Sequence, residues 1–185
     1  MVDVVAMLNR YFEGDALSVM TIHGRVVAEL ALAVSHELSL SVEECNFIWE
    51  ASILHYIGVC KVAAPEIGAM GPHPYIMHGV LGRGILECEG LPRHALVCER
   101  HIGVGLTATD IVDQQLPLPC RDMVPLTITE EIICFADLFF SKKQGRLEQR
   151  KSPERIRKNL SCFGQDKLQT FDTWMGRFGA ALRLG

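Results

Sequence analysis

A long apolar stretch, residues 16–38, constrains the fold more than any other feature of this sequence. Its apolar side chains recur so densely at helical spacing that the stretch predicts one long helix, buried over most of its length. Further helical patterns precede and follow it, separated by glycine and proline, and none of them alternates in the manner of a strand. The sequence therefore predicts an all-α fold, a helical bundle of about seven or eight helices.

The length and composition favour one cytoplasmic domain. We expect residues 1–185 to form a single unit, with C-terminal helices in residues 152–182 packing on the remainder. A chain of this size buries roughly 70% of the surface that its unfolded form exposes. The seven cysteines contain no Cys-x-x-Cys pair and are interpreted as reduced thiols of a cytosolic protein. No uninterrupted apolar run reaches the ~18 residues of a membrane span, so no membrane partner is expected.

One short segment, residues 53–58, carries a histidine into an apolar helix end. His55 follows Ile53 and Leu54 and precedes Tyr56 and Ile57, and Gly58 is expected to end the helix. An imidazole buried among such neighbours needs a hydrogen-bond partner or a metal ion. The remaining question is which other side chains could supply that partner.

Five polar residues stand on separate predicted helices or at their ends, mostly among apolar neighbours: His23, His55, His78, His101 and Asp137. Asp137 is the most informative, because a carboxylate between apolar residues is costly unless it is paired or bound to a metal. Imidazole and carboxylate ligands from several helices suit divalent transition metals. Taken alone, however, a buried histidine is more often a hydrogen-bonded core residue than a ligand.

The order of these residues resembles the HD-domain superfamily of metal-dependent phosphohydrolases, in its HDIG-type subgroup. The stretch His55-Tyr56-Ile57-Gly58 is similar to the family's His-Asp-Ile-Gly signature, with Tyr56 in place of the aspartate. His23 resembles the family's first ligand and Asp137 its late aspartate. Residues 99–105 are similar to the His-His-Glu region of subgroups with two metals. The resemblance covers roughly residues 18–143.

The resemblance implies a helical bundle that hydrolyses a phosphate mono- or diester, such as that of a nucleotide. The implied cofactor is a divalent metal (Mn, Fe, Ni, Zn or Mg), which would activate a water molecule. Its implied ligands are His23, His55 and Asp137, with His78 and His101 as further candidates; His55, His101 and Asp137 are the implied catalytic residues. Arg100 is a candidate to clamp the phosphate. The implied partner is a phosphorylated small molecule or nucleotide, and a homodimer is compatible with this interpretation.

Tyr56 is the departure that puts this chemistry in question. A phenol has an unperturbed pKa near ~10 and is a poor metal ligand at neutral pH. Three interpretations remain open: a domain that no longer hydrolyses, an enzyme with a rebuilt site, or an altered residue at this position. The alternative function is therefore a catalytically impaired module that binds a nucleotide or a protein partner.

The segment 142–158 is strongly basic. It holds eight Lys or Arg residues and two Glu residues, a local charge of 8 − 2 = +6, so the rest of the chain carries −4 − 6 = −10. Such a segment could attract an anionic substrate or a nucleic-acid backbone. It could equally be a solvated helix face. The net charge of −4 argues against a general nucleic-acid binder, so nucleic acid is the less favoured partner.

Overall fold

A computed structural model of the chain describes residues 2–143 and 145–183. Within this part the chain forms nine α-helices, which confirms the all-α prediction with one helix more than the upper estimate. In chain order they are α1 (Val4–Tyr11), α2 (Gly14–Glu37), α3 (Val42–Leu54), α4 (His78–Cys88), α5 (Pro92–Arg100), α6 (Ala108–Asp113), α7 (Ile128–Leu138), α8 (Pro153–Leu160) and α9 (Gln165–Phe178).

Short 3-10 helices and one small sheet connect these elements. The 3-10 helices are Ile57–Lys61, Pro65–Ile67, Tyr75–Met77 and Gly179–Arg183. The sheet is a two-stranded antiparallel ribbon of β1 (Ala63–Ala64) and β2 (Ala69–Met70), which pairs Ala63 with Met70. The glycines and prolines of residues 59–74 predict a loop, and such two-residue strands are too short to leave a periodic signal.

Local capping explains several helix starts. Ser41 accepts a hydrogen bond from the Glu44 amide at the start of α3, as its sequence predicts. Thr107 and Asp110 form a reciprocal capping box at the start of α6. Helix α6 lies in residues 103–125, whose glycines and prolines predict irregular structure instead of a helix. The capping box is the signal that could have revealed it.

The long apolar helix α2 lies at the centre of the fold, between two clusters of buried side chains. One cluster packs α2 and α3 against α7 and α9, with Phe135 and Phe171 fully buried. The other packs the first half of α2 against α1, α3 and α4, with Leu54 and Leu86 fully buried. Because α2 contributes to both clusters, the two halves of the core share one helix.

Helix α2 is also long and apolar enough to cross a membrane by length and composition. In the structure, 56% of its most apolar window is buried inside the protein. The core helix of a soluble protein passes the same test, so this single candidate in the described part of the chain is weak evidence for a span.

Candidate functional site

Five side chains named from the sequence converge in the interior. His23 lies in α2, His55 directly follows α3, His78 begins α4, His101 directly follows α5, and Asp137 lies in the last turn of α7. All five are buried, with relative exposures between 0% and 7%. The ring centroids of His55 and His101 are 4.8 Å apart, and those of His23 and His55 are 5.4 Å apart.

Three of the histidines are oriented by the backbone in the same way. In each, Nδ1 hydrogen-bonds the carbonyl oxygen three residues earlier: His55 to Ser52 at 2.6 Å, His78 to Tyr75 at 2.7 Å and His101 to Cys98 at 2.8 Å. Since the carbonyl can only accept, Nδ1 must carry the proton and donate. In each ring the Nε2 atom is therefore the nitrogen turned away from that carbonyl and toward the other side chains of the cluster.

The Nε2 atoms are poorly satisfied by the protein itself. Those of His78 and His101 lie 3.1 Å apart, so this pair needs one further proton or a shared external donor. Nε2 of His55 and both ring nitrogens of His23 have no hydrogen-bond partner among the described residues. Nε2 of His23 lies 2.9 Å from Oδ1 of Asp137, and Nε2 of His55 lies 3.5 Å from the same oxygen, so both rings face the carboxylate.

Asp137 is compensated by a lysine that follows it closely in sequence. Lys142 Nζ lies 3.1 Å from Asp137 Oδ1 and also donates to the hydroxyl of Tyr56. The same ammonium lies 3.8 Å from the centroid of the Tyr56 ring. Burial would raise the pKa of Asp137, but the Lys142 charge and the contacts with His23 and His55 hold it well below its usual value.

Three histidines of the cluster, His23, His78 and His101, are neutral at pH 7. Burial lowers the pKa of His23 to about 3 and that of His78 to about 4, and it lowers the pKa of His101 well below its usual value. Burial also lowers the pKa of Lys142, while Asp137 opposes that shift. One ionised carboxylate and one ammonium thus form the ionic part of the cluster.

These residues do not fit the divalent metal that the resemblance implied. Ligand atoms of His23, His55 and Asp137 do lie within 4.8 Å of one another, a spacing that could accept a cation. However, the structure supplies a cation of its own there, because Lys142 pairs with Asp137. Burial raises the pKa of Tyr56 well above its usual value, so its phenol stays protonated and is a poor ligand.

Arg100 does not join the cluster. Its guanidinium donates to both carboxylate oxygens of the buried Glu130, at 2.9 and 3.0 Å. Its role as a phosphate clamp stays a prediction, as do the catalytic roles of His55, His101 and Asp137. The sequence interpretation missed Lys142 as a member of the cluster; its position five residues after a buried aspartate was the available signal.

The surface next to the cluster carries a cleft and a basic concavity. The cleft, of about 570 Å³, is lined by Glu66, Ile67, Tyr75, Ser141, Lys142 and Lys143. The concavity, of about 170 Å³, is formed by residues between 141 and 155. Ser141 and Lys143 line both, so the two openings adjoin one another and the cleft reaches the partly buried Lys142.

Comparisons with known proteins find relatives associated with tRNA. A protein of Thermoplasma volcanium named tRNA (cytidine(56)-2'-O)-methyltransferase is 31% identical over 149 residues, which are 80% of this chain and 39% of that protein. A protein of the same name from Picrophilus torridus is 40% identical over 63 residues, 34% of this chain and 18% of that protein. The match with the Thermoplasma volcanium protein thus spans about two fifths of its length. No family model and no solved structure matches the chain.

These relatives contradict the family assignment made from the sequence. Neither methyltransferase name points to an HD domain, so the predicted membership of that superfamily, its hydrolase activity and its phosphoester chemistry are not supported. The same relatives contradict the predicted divalent-metal cofactor. They also contradict the predicted partner, a phosphorylated small molecule or nucleotide. The impaired HD-like module is likewise unsupported. The His and Asp residues that carry the resemblance form a buried polar cluster, in which Lys142 pairs with the Asp137 carboxylate.

A further relative matches this chain over most of its own length. The uncharacterized protein MJ0778 of Methanocaldococcus jannaschii is 34% identical over 140 residues, which are 72% of this chain and 79% of that protein. At this identity and coverage, the chain belongs to the same family as that archaeal protein.

Proposed function

We propose that this chain is a tRNA-binding helical module that serves tRNA modification, and that the segment 142–158 contacts the RNA backbone. The observation that carries the proposal is the concentration of positive charge around one concavity at residues 143–155. The segment holds +6 while the rest of the chain holds −10. Phosphate contacts dominate nucleic-acid affinity, so an acidic protein with one basic surface would meet RNA through that surface.

The similarity to the Thermoplasma volcanium protein supports tRNA as the RNA. The name of that protein specifies 2'-O-methylation of cytidine 56 in tRNA. The match extends over 80% of this chain but only 39% of that protein, so we propose tRNA binding, rather than methyl transfer, for this chain. The proposal also assigns it to the cytoplasm, where such relatives would meet tRNA.

The fold supports a preorganised RNA contact. Lys142 and Lys151 both contact the end of α7. At the start of this segment Lys142 pairs with Asp137, and at its end the Lys151 amide donates to the Phe139 carbonyl at 2.8 Å. The Lys151 ammonium also donates to the Leu138 carbonyl at 2.9 Å. A loop anchored at both ends loses less conformational entropy when it binds.

Titration of the purified chain with labelled tRNA at several salt concentrations tests the proposal. If the segment makes three to five phosphate contacts, log K should fall with log [salt] with a slope of roughly −2 to −4.5. A variant with Arg146, Arg150 and Lys151 changed to Gln should bind more weakly and with a shallower slope.

A matched variant controls for overall charge. In this control variant Arg10, Lys61 and Arg93 are changed to Gln. It also loses three positive charges, but all three lie outside the segment. This control should retain the wild-type slope. Equal loss in both triple variants, or no binding of tRNA to the wild-type chain at 50 mM salt, would reject the proposal.

A further inference from the structure

The basic concavity has a composition that singles it out within the described residues. Five cationic side chains line it: Lys143, Arg146, Arg150, Lys151 and Arg155. Ser141 and Gln149 complete the lining with a hydroxyl and an amide, and no carboxylate takes part. Its volume of about 170 Å³ belongs to a small, local site rather than an extended groove.

The two acidic residues of the segment are directed elsewhere. Glu148 pairs with Arg25 of α2. Glu154 lies in the first turn of α8, where it is exposed. Neither lines the concavity. Among the residues that the structure describes, no carboxylate lies within ion-pair distance of the five cations.

Two of these cations are held in place by backbone carbonyls. The Lys151 ammonium is fixed on the Leu138 carbonyl, and one Arg150 amine donates to the Leu182 carbonyl at 3.0 Å. Burial lowers the pKa of Lys151, and the charges of Lys142 and Arg155 lower it further against the influence of Asp137. Neighbouring like charges of this kind are relieved when an anion enters between them.

We propose that this concavity is a binding site for one phosphate group, occupied by a backbone phosphate of tRNA in the complex. The source of the phosphate rests on the function proposed above, whereas the site itself rests on the lining residues. Guanidinium groups match the paired oxygens of a phosphate, and a tetrahedral anion accepts several N–H donors at once. Arg146 and Arg155 have no described partner and are free to supply those donors.

The test compares two variants of the full chain. Arg146→Ala/Arg155→Ala removes both free guanidinium groups, and the control Lys61→Ala removes an exposed charge that lies outside the basic segment and does not line the concavity. The three residues are exposed, so both proteins should retain the wild-type thermal unfolding profile. Affinity is measured for tRNA and, separately, for inorganic phosphate by calorimetry.

The double variant should bind tRNA about ten-fold or more weakly at 100 mM salt, with a salt slope reduced by about 1 to 2. Lys61→Ala should remain within about two-fold of the wild type. Inorganic phosphate should bind the wild type and Lys61→Ala but not the double variant. This pattern supports a phosphate site at the concavity.

The measurements distinguish a failure of the phosphate site from a failure of the proposed tRNA binding. If tRNA binds the wild type and the double variant equally well, the site is rejected while tRNA binding stands. If the wild type binds inorganic phosphate but no tRNA, the concavity is a site for free phosphate and the tRNA function is rejected. If neither tRNA nor phosphate binds, both are rejected.

Discussion

The ammonium of Lys142 pairs with the carboxylate of Asp137, with Nζ and Oδ1 3.1 Å apart. This contact links the buried histidine cluster to the basic surface, because Lys142 is also the first residue of the basic segment. Asp137 lies at the end of α7 and Lys142 lines the adjoining cleft. The Asp137 carboxylate, whose charge a bound cation could have balanced, is thus balanced by a lysine of the same chain.

Removal of this internal cation should destabilise the protein. In Lys142→Met, Asp137 remains buried without its ammonium partner, and loss of one member of a buried pair costs about 3 to 5 kcal/mol. The Lys142 side chain is 18% exposed, so we expect a value near the lower end of that range. Urea unfolding at pH 7 measures it.

The adjacent residue provides the control for this change. Lys143 is exposed and makes no described ion pair, so Lys143→Met should change the free energy of unfolding by about 0.5 kcal/mol or less. Similar losses in the two variants would show that the Lys142–Asp137 pair has no special weight.

Acidification should destabilise the fold before the carboxylates titrate. Burial lowers the pKa of His78 from 6.5 to about 4 and that of His23 to about 3. Below pH 6.5 the histidines therefore bind protons in the unfolded chain but not in the folded chain. The free energy of unfolding is thus highest above pH 6.5 and falls as the pH drops. Each such histidine contributes a slope of about 1.4 kcal/mol per pH unit. Unfolding free energies between pH 7 and pH 4.5 measure the slope.

Single variants assign this pH dependence to the cluster. His78→Gln should reduce the slope, because it removes one group that must stay neutral in the folded state. His36→Gln changes an exposed histidine at the end of α2 and should leave the slope unchanged. An identical slope in the wild type and His78→Gln would exclude His78 as a source of acid sensitivity.

Gly58 should be intolerant of any side chain. A Cβ atom there would lie 2.0 Å from the His78 carbonyl oxygen and 2.4 Å from the Gly82 nitrogen, both of them backbone atoms. The 3-10 helix Ile57–Lys61 would have to move away from α4, and such overpacking costs about 1 to 3 kcal/mol or more. Thermal unfolding of Gly58→Ala tests this expectation.

Gly84→Ala is the matched substitution within α4. A Cβ atom at Gly84 meets nothing within 4 Å, and alanine is favoured over glycine in a helix by about 1 kcal/mol. This variant should unfold at the same or a higher temperature than the wild type. A Gly58→Ala protein as stable as Gly84→Ala would contradict the close packing at Gly58.

Arg100 should contribute to stability without contributing to RNA affinity. It pairs with the buried Glu130, whose Oε2 also accepts from the Leu126 amide at 2.7 Å. Arg100→Gln leaves that carboxylate without its cation and should cost about 2 kcal/mol or more. The tRNA affinity of the folded variant should match the wild type; a loss of affinity at unchanged stability would favour a phosphate-clamping role.

The sequence predicted the fold class and the buried polar residues that meet in the interior. It did not predict which cation pairs with the buried Asp137 carboxylate. Apolar periodicity predicts helices directly, and polar residues such as Asp137 stand out among apolar neighbours. The apolar pattern around Asp137 predicts a helix from Glu130 to about Lys142, which would carry that lysine onward along the helix axis. In the structure α7 ends at Leu138, and the chain turns so that Lys142 returns to Asp137. A helix end without glycine or proline gives no local signal for this turn.

The family assignment failed for a related reason. Widely spaced His and Asp residues indicate that polar groups meet in a helical core, but not what neutralises them. Tyr56 and Lys142 supply a phenol and an ammonium where the resemblance implied a metal. The relatives, two of which are named as tRNA methyltransferases, corrected the functional interpretation.

Ultraviolet cross-linking of tRNA to the full chain, followed by mass spectrometry of the cross-linked peptides, tests the central claim most directly. The account predicts that cross-links concentrate in residues 141–158, around Arg146 and Arg155, and weaken as salt is raised. Cross-links that concentrate on another surface, or none above the level of an unrelated acidic protein, would contradict it.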